Sequence, residues 1–481
     1  MDNNVLKNIS DLKRKAYSYI EDNKLEKAQA MIAAISYILY HWNQIYVDDD
    51  LEKCIHILSH KFFSSSCNYI SQNKVVLFYD AFGLNTRGLA CIYLKALVEN
   101  GYKIVYLAPK NAEDDQDAIY SILSKGDSIT IYFSPQSYTF KIKTIENAVK
   151  SYKPKYAFLY SKPDDVAACV AFDHLKGACI RYKINLTDDA FWLGRDCFDY
   201  CIEFRDVGAN ISAKYRKIPK TKLIKLPFYP YINDSSFEGF PFSEDKKVIF
   251  SGGSLYKTLG DRNNTFYRIV EGLLNKHNDT VFLYAGNGDD SELIHLQKKL
   301  PERIYHINER TDLFQVMKHS TIYLNTYPIV GGLMMQYAAI AGRPPLTYRS
   351  KESDLDIQGI LLNDNSVIFD SIESLEAEAD KLLDDAEYRK QREYNIKNTV
   401  ISSDEFNKQL RRLLERQSTG FIIRFDDIEI DAYQESYIER FDYETVLEKA
   451  IANRENMTLF FYYPHLFMRR IIKKLFSKLK F

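Results

Sequence analysis

NTYPIVGGLMMQYAAIAGRPPL, Asn325–Leu346, is the stretch on which the reading of this chain turns. It continues an apolar run, TIYLNTYP (Thr321–Pro328), with the β-branched and aromatic content of a strand. Gly331-Gly332 then opens a helix, Gly342 stops it, and Pro344-Pro345 launch the next strand. Strand, glycine turn, helix, glycine stop and strand form one βαβ unit, the building block of a parallel sheet. A Gly-Gly pair at a helix start also lets an anion approach the unpaired N–H groups and the positive end of the helix dipole. The Met334-Met335 pair reads as core.

The same alternation extends upstream. KKVIFSGG (Lys246–Gly253), TVFLYAGNG (Thr280–Gly288) and RIYHI (Arg303–Ile307) read as strands, with helices near Thr265–Lys276, Ser291–Lys299 and Leu313–His319. An earlier series repeats the theme in KVVLFYD (Lys74–Asp80), KIVYLAP (Lys103–Pro109), SITIYFS (Ser128–Ser134) and YAFLYS (Tyr156–Ser161). It ends in a Pro-bearing linker near KLIKLPFYPYI (Lys222–Ile232). Before it, Leu25, Ala28, Ile32, Ile35 and Leu39 recur at helical steps of three and four. The expected architecture is α/β, two Rossmann-like domains facing a central cleft. Residues 1–72 form a helical extension, 73–235 and 240–400 the two domains, and 401–481 a helical tail. Ligands of such sheets bind at the carboxyl ends of the strands.

Composition narrows the function classes. Of 481 residues 46% are hydrophobic and 27% charged, so the chain is globular over most of its length. Its 64 basic and 65 acidic side chains leave no basic surplus of the kind a nucleic-acid binder shows. The seven cysteines are dispersed with no C-x-x-C pair, which predicts reduced thiols, no zinc site and a cytoplasmic protein. No signal peptide or membrane-spanning run is read. The tail HLFMRRIIKKLFSKLKF (His465–Phe481) carries an apolar stripe amid Arg469, Arg470, Lys473, Lys474, Lys478 and Lys480. Such a helix suits the anionic inner face of a membrane, or docks on the body with its basic face in water.

Four loops follow strands and can carry chemistry. DAFGLNTRGLA (Asp80–Ala90) offers Asn85, Thr86 and Arg87 as acceptor contacts, against a plain tight turn with a structural Arg87. SGGSLYKTLGDRNN (Ser251–Asn264) combines Gly252, Gly253 and Ser254 with Lys257 and Arg262, the backbone amides and cations that neutralise a diphosphate. The Gly331-Gly332 helix, with Tyr327 before it and Gln336 within it, is the second anion site. INLTDDAFWLG (Ile184–Gly194) supplies Asp188 and Asp189, which on extended backbone point opposite ways, so that one faces the cleft as a general base, against a pair of turn or helix-cap carboxylates. Trp192 stacks on a sugar or fills the core.

The tandem α/β units with GG–helix–GRPP late in the second resemble the GT-B glycosyltransferases of bacterial polysaccharide assembly. INLTDDAFWLG is similar to a segment of some of them that reads roughly N-H-x-D-H-x-F-W-L-G. Asn185, Asp188, Phe191, Trp192, Leu193 and Gly194 match, while Leu186 and Asp189 stand at the histidine positions. Many retaining relatives carry two glutamates at the donor helix; aligned on Gly342, Ile329 and Tyr337 stand there instead. The resemblance implies transfer of a sugar from a nucleotide sugar, a UDP-sugar being the expected donor, to a glycan or lipid-linked glycan acceptor of a capsule or O-antigen kind. It implies no bound metal or other cofactor. Competing expectations are a non-catalytic partner subunit on the same fold, a sugar-nucleotide epimerase, and a polyol-phosphate transferase. None of the nine histidines falls in the four loops, which counts against the last.

Overall fold

The structure, a computed structural model, describes residues 2–84, 88–110, 116–134, 137–232, 235–243, 245–259, 261–308, 310–350, 361–362, 367–453, 459 and 463–478. It divides into two compact units, Met1–Pro227 with Phe406–Phe481, and Phe228–Glu405.

The first unit starts with three helices, α1 (Asp2–Glu21), α2 (Leu25–Trp42) and α3 (Asp49–Phe62). Asp48 starts α3 by accepting the N–H groups of Asp50 and Leu51, and acids in the first turn with bases in the last complement its dipole. Then follow β1 (Gln72–Asp80), α4 (Ala90–Glu99), β2 (Lys103–Pro109), α5 (Asp117–Leu123), β3 (Ser128–Phe133), α6 (Tyr138–Tyr152), β4 (Pro154–Tyr160), α7 (Val166–His174), β5 (Ile180–Ile184), β6 (Tyr200–Glu203), α8 (Asp206–Lys214) and β7 (Leu223–Lys225). The strands form a parallel sheet in the order β3-β2-β1-β4-β5-β6-β7. Val76 and Tyr79 of β1 lie opposite Ile104 and Leu107 of β2, and Asp80 opposite Tyr160 of β4.

Because side chains alternate along a strand, β1 feeds two cores. Val75, Leu77 and Tyr79 pack with α2, α3, α6 and α7, while Phe78 on the other face meets Tyr93, Tyr106 and Phe158.

The second unit comprises β8 (Lys247–Gly252), α9 (Thr265–Lys276), β9 (Thr280–Ala285), α10 (Ser291–Lys299), β10 (Ile304–Ile307), α11 (Leu313–His319), β11 (Ile322–Leu324), α12 (Gly332–Ala341), β12 (Pro345–Tyr348), β13 (Ile368–Phe369), α13 (Ile372–Asp384) and α14 (Ala386–Lys397). Its parallel sheet runs β10-β9-β8-β11-β12-β13. Ile249 of β8 joins α9, α10 and α13 on one face. Val248 and Phe250 join α11 and α12 on the other, with Met334 in that core.

The remaining helices are α15 (Ser403–Arg416), α16 (Asp431–Arg440), α17 (Tyr443–Asn453) and α18 (Pro464–Lys478). From Phe406 onward they return to the first unit. Phe406 packs edge-on against Tyr93, and Tyr156 and Tyr182 donate their hydroxyls to the Leu414 and Leu413 carbonyls. Val446, Leu447, Ile451 and Leu466 enter the same core as α1–α3.

The short strands β6, β7 and β13 are absent from the sequence reading, since two to four residues are too few to display a period. LIK, read as linker, pairs as β7 with β6. No helix of the described residues is long and apolar enough to cross a membrane.

Glu52 of α3 is buried and accepts the Gly194 N–H at 2.9 Å. Burial pushes its carboxyl up to about 7 from 4.5. A carboxyl raised in the folded state binds more protons there than when unfolded, so its stabilising effect is complete below pH 4.5 and lost as pH rises through 7. Thermal melts of Glu52→Gln and the native protein should therefore agree near pH 5 and separate near pH 8, the variant melting several degrees higher.

Candidate functional site

The second sheet changes winding direction between β8 and β11, the place where open α/β sheets bind ligands. Two loops leave the strand ends there. After β8, Gly253 adopts φ +124°, a conformation open to glycine. Its N–H donates to the Ala285 carbonyl at 2.9 Å, and its own carbonyl accepts the Tyr284 hydroxyl at 3.0 Å. The chain continues through exposed Ser254 into a short 3-10 turn, Leu255–Thr258.

After β11, buried Asn325 folds the second loop on itself. Its Oδ1 accepts the N–H groups of Thr326 and Gly331 at 2.9 and 3.0 Å, and its Nδ2 donates to Thr347. Thr326 donates its hydroxyl to the Ile329 carbonyl. Asn325 and Thr326 are site-building residues that the sequence reading passed over. The signal available was an Asn at a strand end, a residue type that bonds its own neighbouring backbone.

The two loops are joined directly, the Ile329 N–H donating to the Lys257 carbonyl at 3.1 Å. This contact gathers Gly252, Gly253, Lys257, Gly331 and Gly332 at one end of the sheet. A Cβ on Gly252 would stand 3.1 Å from Met334 Cε, and one on Gly331 3.2 Å from Asn325 Oδ1, so both glycines serve close packing. The helix α12 begins with no side-chain cap and no acid in its first turn. Among the described residues no side chain caps its first N–H groups, and no acid in its own first turn complements its dipole. Half-buried Lys257 has no acidic partner among the described residues, and burial lowers its ammonium below the usual lysine range. A cation and an uncapped helix start on adjoining loops are the kind of groups that suit an anion.

Other residues expected here divide. Arg262 is exposed in the turn before α9, and Tyr327 packs against Tyr348 with 5.0 Å between rings. Gln336 is buried, and its Nε2 donates to the Phe228 carbonyl at 2.9 Å. Tyr337, at one glutamate position of relatives, donates to the Tyr231 carbonyl. Both hold the segment leading into this unit.

In the first unit the TDDAFWLG segment is a clamped turn after β5 rather than extended strand. Arg216, fully buried, donates to the carbonyls of Thr187, Asp188 and Ala190 while lying 5.0 Å over Trp192 and 5.2 Å over Tyr46. Asn43 at the end of α2 donates to the Asp189 carbonyl and accepts the Phe191 N–H. Asn185 donates to both oxygens of Glu203.

The surroundings of the three expected site residues in this segment differ. Trp192 is 2% exposed, sits in the core and has no face for a sugar. Asp188 is equally enclosed, and Arg205 occupies both its oxygens at 2.5 and 2.8 Å. Burial raises its carboxyl and the Arg205 guanidinium opposes that rise, so the pair is closed against an incoming hydroxyl. Asp189 stays half-exposed, with one oxygen accepting from Tyr433 at 2.5 Å. Asn85, Thr86 and Arg87 lie outside the described residues.

No family model matches the chain, and no curated protein matches its sequence. Solved structures match its fold. A TarM variant from S. aureus, in complex with Fondaparinux, alpha-GlcNAc-glycerol and UDP, is similar over 71% of this chain and 99% of its own, at 10% identity and a TM-score of 0.52. A protein from Listeria monocytogenes assigned as a UDP-N-acetylglucosamine 2-epimerase is similar over 74% of this chain and 100% of its own, at 12% identity and a TM-score of 0.51. The fold is of the GT-B class: two parallel-sheet Rossmann-like domains with helical N- and C-terminal regions.

The packing of these loops depends on backbone approach, which one residue tests. A Cβ on Gly286 would stand 2.0 Å from the Gly253 carbonyl oxygen. Gly286→Ala should therefore push the Gly253 loop aside and lower the melting temperature, and a crystal structure of the variant should show the loop displaced from Lys257.

Proposed function

We propose that this chain is a glycosyltransferase that takes a sugar from a nucleotide sugar, with UDP as the expected nucleotide, and passes it to a glycan or lipid-linked glycan acceptor of a surface polysaccharide. The observation that carries the reading lies in the second unit, where the loop of half-buried Lys257, which has no acidic partner among the described residues, bonds through the Lys257 carbonyl to Ile329, ahead of the uncapped start of α12. A nucleoside diphosphate leaving group develops negative charge as the bond to the sugar breaks. Preorganised N–H groups and a cation stabilise that charge more than they stabilise the intact donor, which lowers the barrier. Asp189 is the group proposed to take the acceptor proton. Its exposed side and single tyrosine partner leave it capacity that Asp188 lacks.

The non-catalytic reading keeps one specific observation in its favour, the closure of Asp188 by Arg205. The epimerase reading stands beside it, since the Listeria structure has the same fold.

Melting the purified protein against UDP-, GDP-, CMP- and TDP-sugars separates binding from its absence. A ligand at 100 times its Kd adds about 2.7 kcal/mol to the folded state. One nucleotide class should raise the melting temperature, and Lys257→Ala and Gly332→Asp should abolish the rise. No rise with any class would sink the donor site. Release of free nucleotide only with a glycan acceptor then identifies a transferase, and loss of that release in Asp189→Asn identifies the base.

We infer further that the chain works at the inner face of a membrane through α18. Met468, Ile471 and Ile472 lie exposed at helical spacing, whereas Leu466 packs on the body. The native protein should sediment with phosphatidylglycerol vesicles and not with phosphatidylcholine vesicles, and Ile471→Asp with Ile472→Asp should abolish sedimentation.

A further inference from the structure

His56 and His60 stand one turn apart on α3, both exposed, and neither takes part in the anion site or the TDDAFWLG turn. Their Nε2 atoms face each other at 3.1 Å, with the rings perpendicular and 4.4 Å between centroids. The other ring nitrogen of His56, Nδ1, lies 3.3 Å from a carboxylate oxygen of Asp173 on α7.

Each of these features has a counterpart in metal coordination. With metal–nitrogen bonds of about 2.0–2.1 Å, two imidazoles bound side by side are roughly 2.9 Å apart at a right angle and roughly 3.3 Å apart at the tetrahedral angle. The 3.1 Å separation lies inside that window. Helical spacing i, i+4 is the arrangement by which two histidines on one helix face bind one ion. Asp173 on Nδ1 holds the proton there and leaves the Nε2 lone pair directed at the partner ring, which is how a carboxylate behind a ligating histidine orients it and raises its basicity. The pair also occupies the C-terminal half of α3, with His60 in the last turn, where the dipole favours positive charge.

We propose that His56 and His60 chelate a late first-row divalent cation, Cu²⁺ or Zn²⁺, with Asp173 as the supporting carboxylate. No group of three or more His, Cys, Asp or Glu among the described residues is placed to hold a metal, so the site is a two-ligand chelate. Its remaining positions take water or a donor atom from another molecule. Imidazole pairs suit copper, nickel and zinc, with copper bound most tightly, whereas Mg²⁺ prefers oxygen ligands. The site is independent of the nucleotide-sugar reading.

The test is calorimetric titration of the tag-free full-length protein with Cu²⁺, Zn²⁺ and Mg²⁺, beside His56→Ala, His60→Ala and Asp173→Asn. Both histidines are exposed, so melting curves should confirm that the alanine variants remain folded. The native protein should bind one equivalent of Cu²⁺ and of Zn²⁺ that both alanine variants lack, Cu²⁺ more tightly, with no Mg²⁺ binding at this site. Asp173→Asn should keep the stoichiometry and weaken the affinity roughly tenfold or more. Equal stoichiometry in the native protein and His60→Ala, or an extra equivalent that survives in His56→Ala, overturns the proposal and leaves a hydrogen bond between two rings.

Discussion

A parallel sheet has no face that water can be left to cover, and both units of this protein are built around that constraint. The strands of such a sheet present apolar residues on both sides, so helices must cover both. In the first unit the covering layer is recruited from far along the chain. The helices before β1 pack on one face, and α15, more than 300 residues later, supplies carbonyl partners for Tyr156 and Tyr182 on the other. The two ends of the chain are therefore parts of the first domain's core. Truncating either would remove part of that core rather than trim an appendage.

The same constraint fixes where chemistry can sit. Parallel strands place all their carboxyl ends on one edge, and the loops there carry backbone groups that the sheet does not pair. In the second unit Asn325 satisfies part of one loop with a side chain, and glycines bring the other close enough for backbone to bond backbone. In the first unit Arg216 serves three carbonyls of one turn and lies between two aromatic rings. An arginine buried this completely costs several kcal/mol in desolvation unless its N–H groups are taken up, and the turn supplies acceptors for that purpose.

Period, glycine and proline made most of the architecture legible in the sequence. Long apolar strands such as KVVLFYD declare themselves, and the Gly-Gly helix start and Gly342 stop appear in the structure as read. Three kinds of feature were not legible. Short edge strands such as β7 show no period. Which unit a terminal helix joins depends on contacts between residues hundreds of positions apart. The roles inside INLTDDAFWLG were also hidden, because sequence shows which residues can do chemistry and not which are already bonded. Asn185, Asp188 and Trp192 are taken up by Glu203, Arg205 and Arg216 in turn.

That contrast gives a physical criterion for telling working charges from structural ones. A charge whose partners are supplied from within the protein has its solvation replaced in the folded state and gains little from a ligand; Asp188 with both oxygens on Arg205 is of this kind. Lys257 is the opposite case. Burial has removed part of its water, no acid among the described residues replaces it, and its ammonium is destabilised as a result. An anion beside an ammonium of this kind would restore the missing interaction, since the desolvation is already incurred. The uncapped start of α12 is in the same condition, with N–H groups oriented and no side chain to receive them. Neither arrangement stabilises the free protein. Both lack an internal side-chain partner among the described residues, and this separates the loops after β8 and β11 from the polar cluster around Arg216.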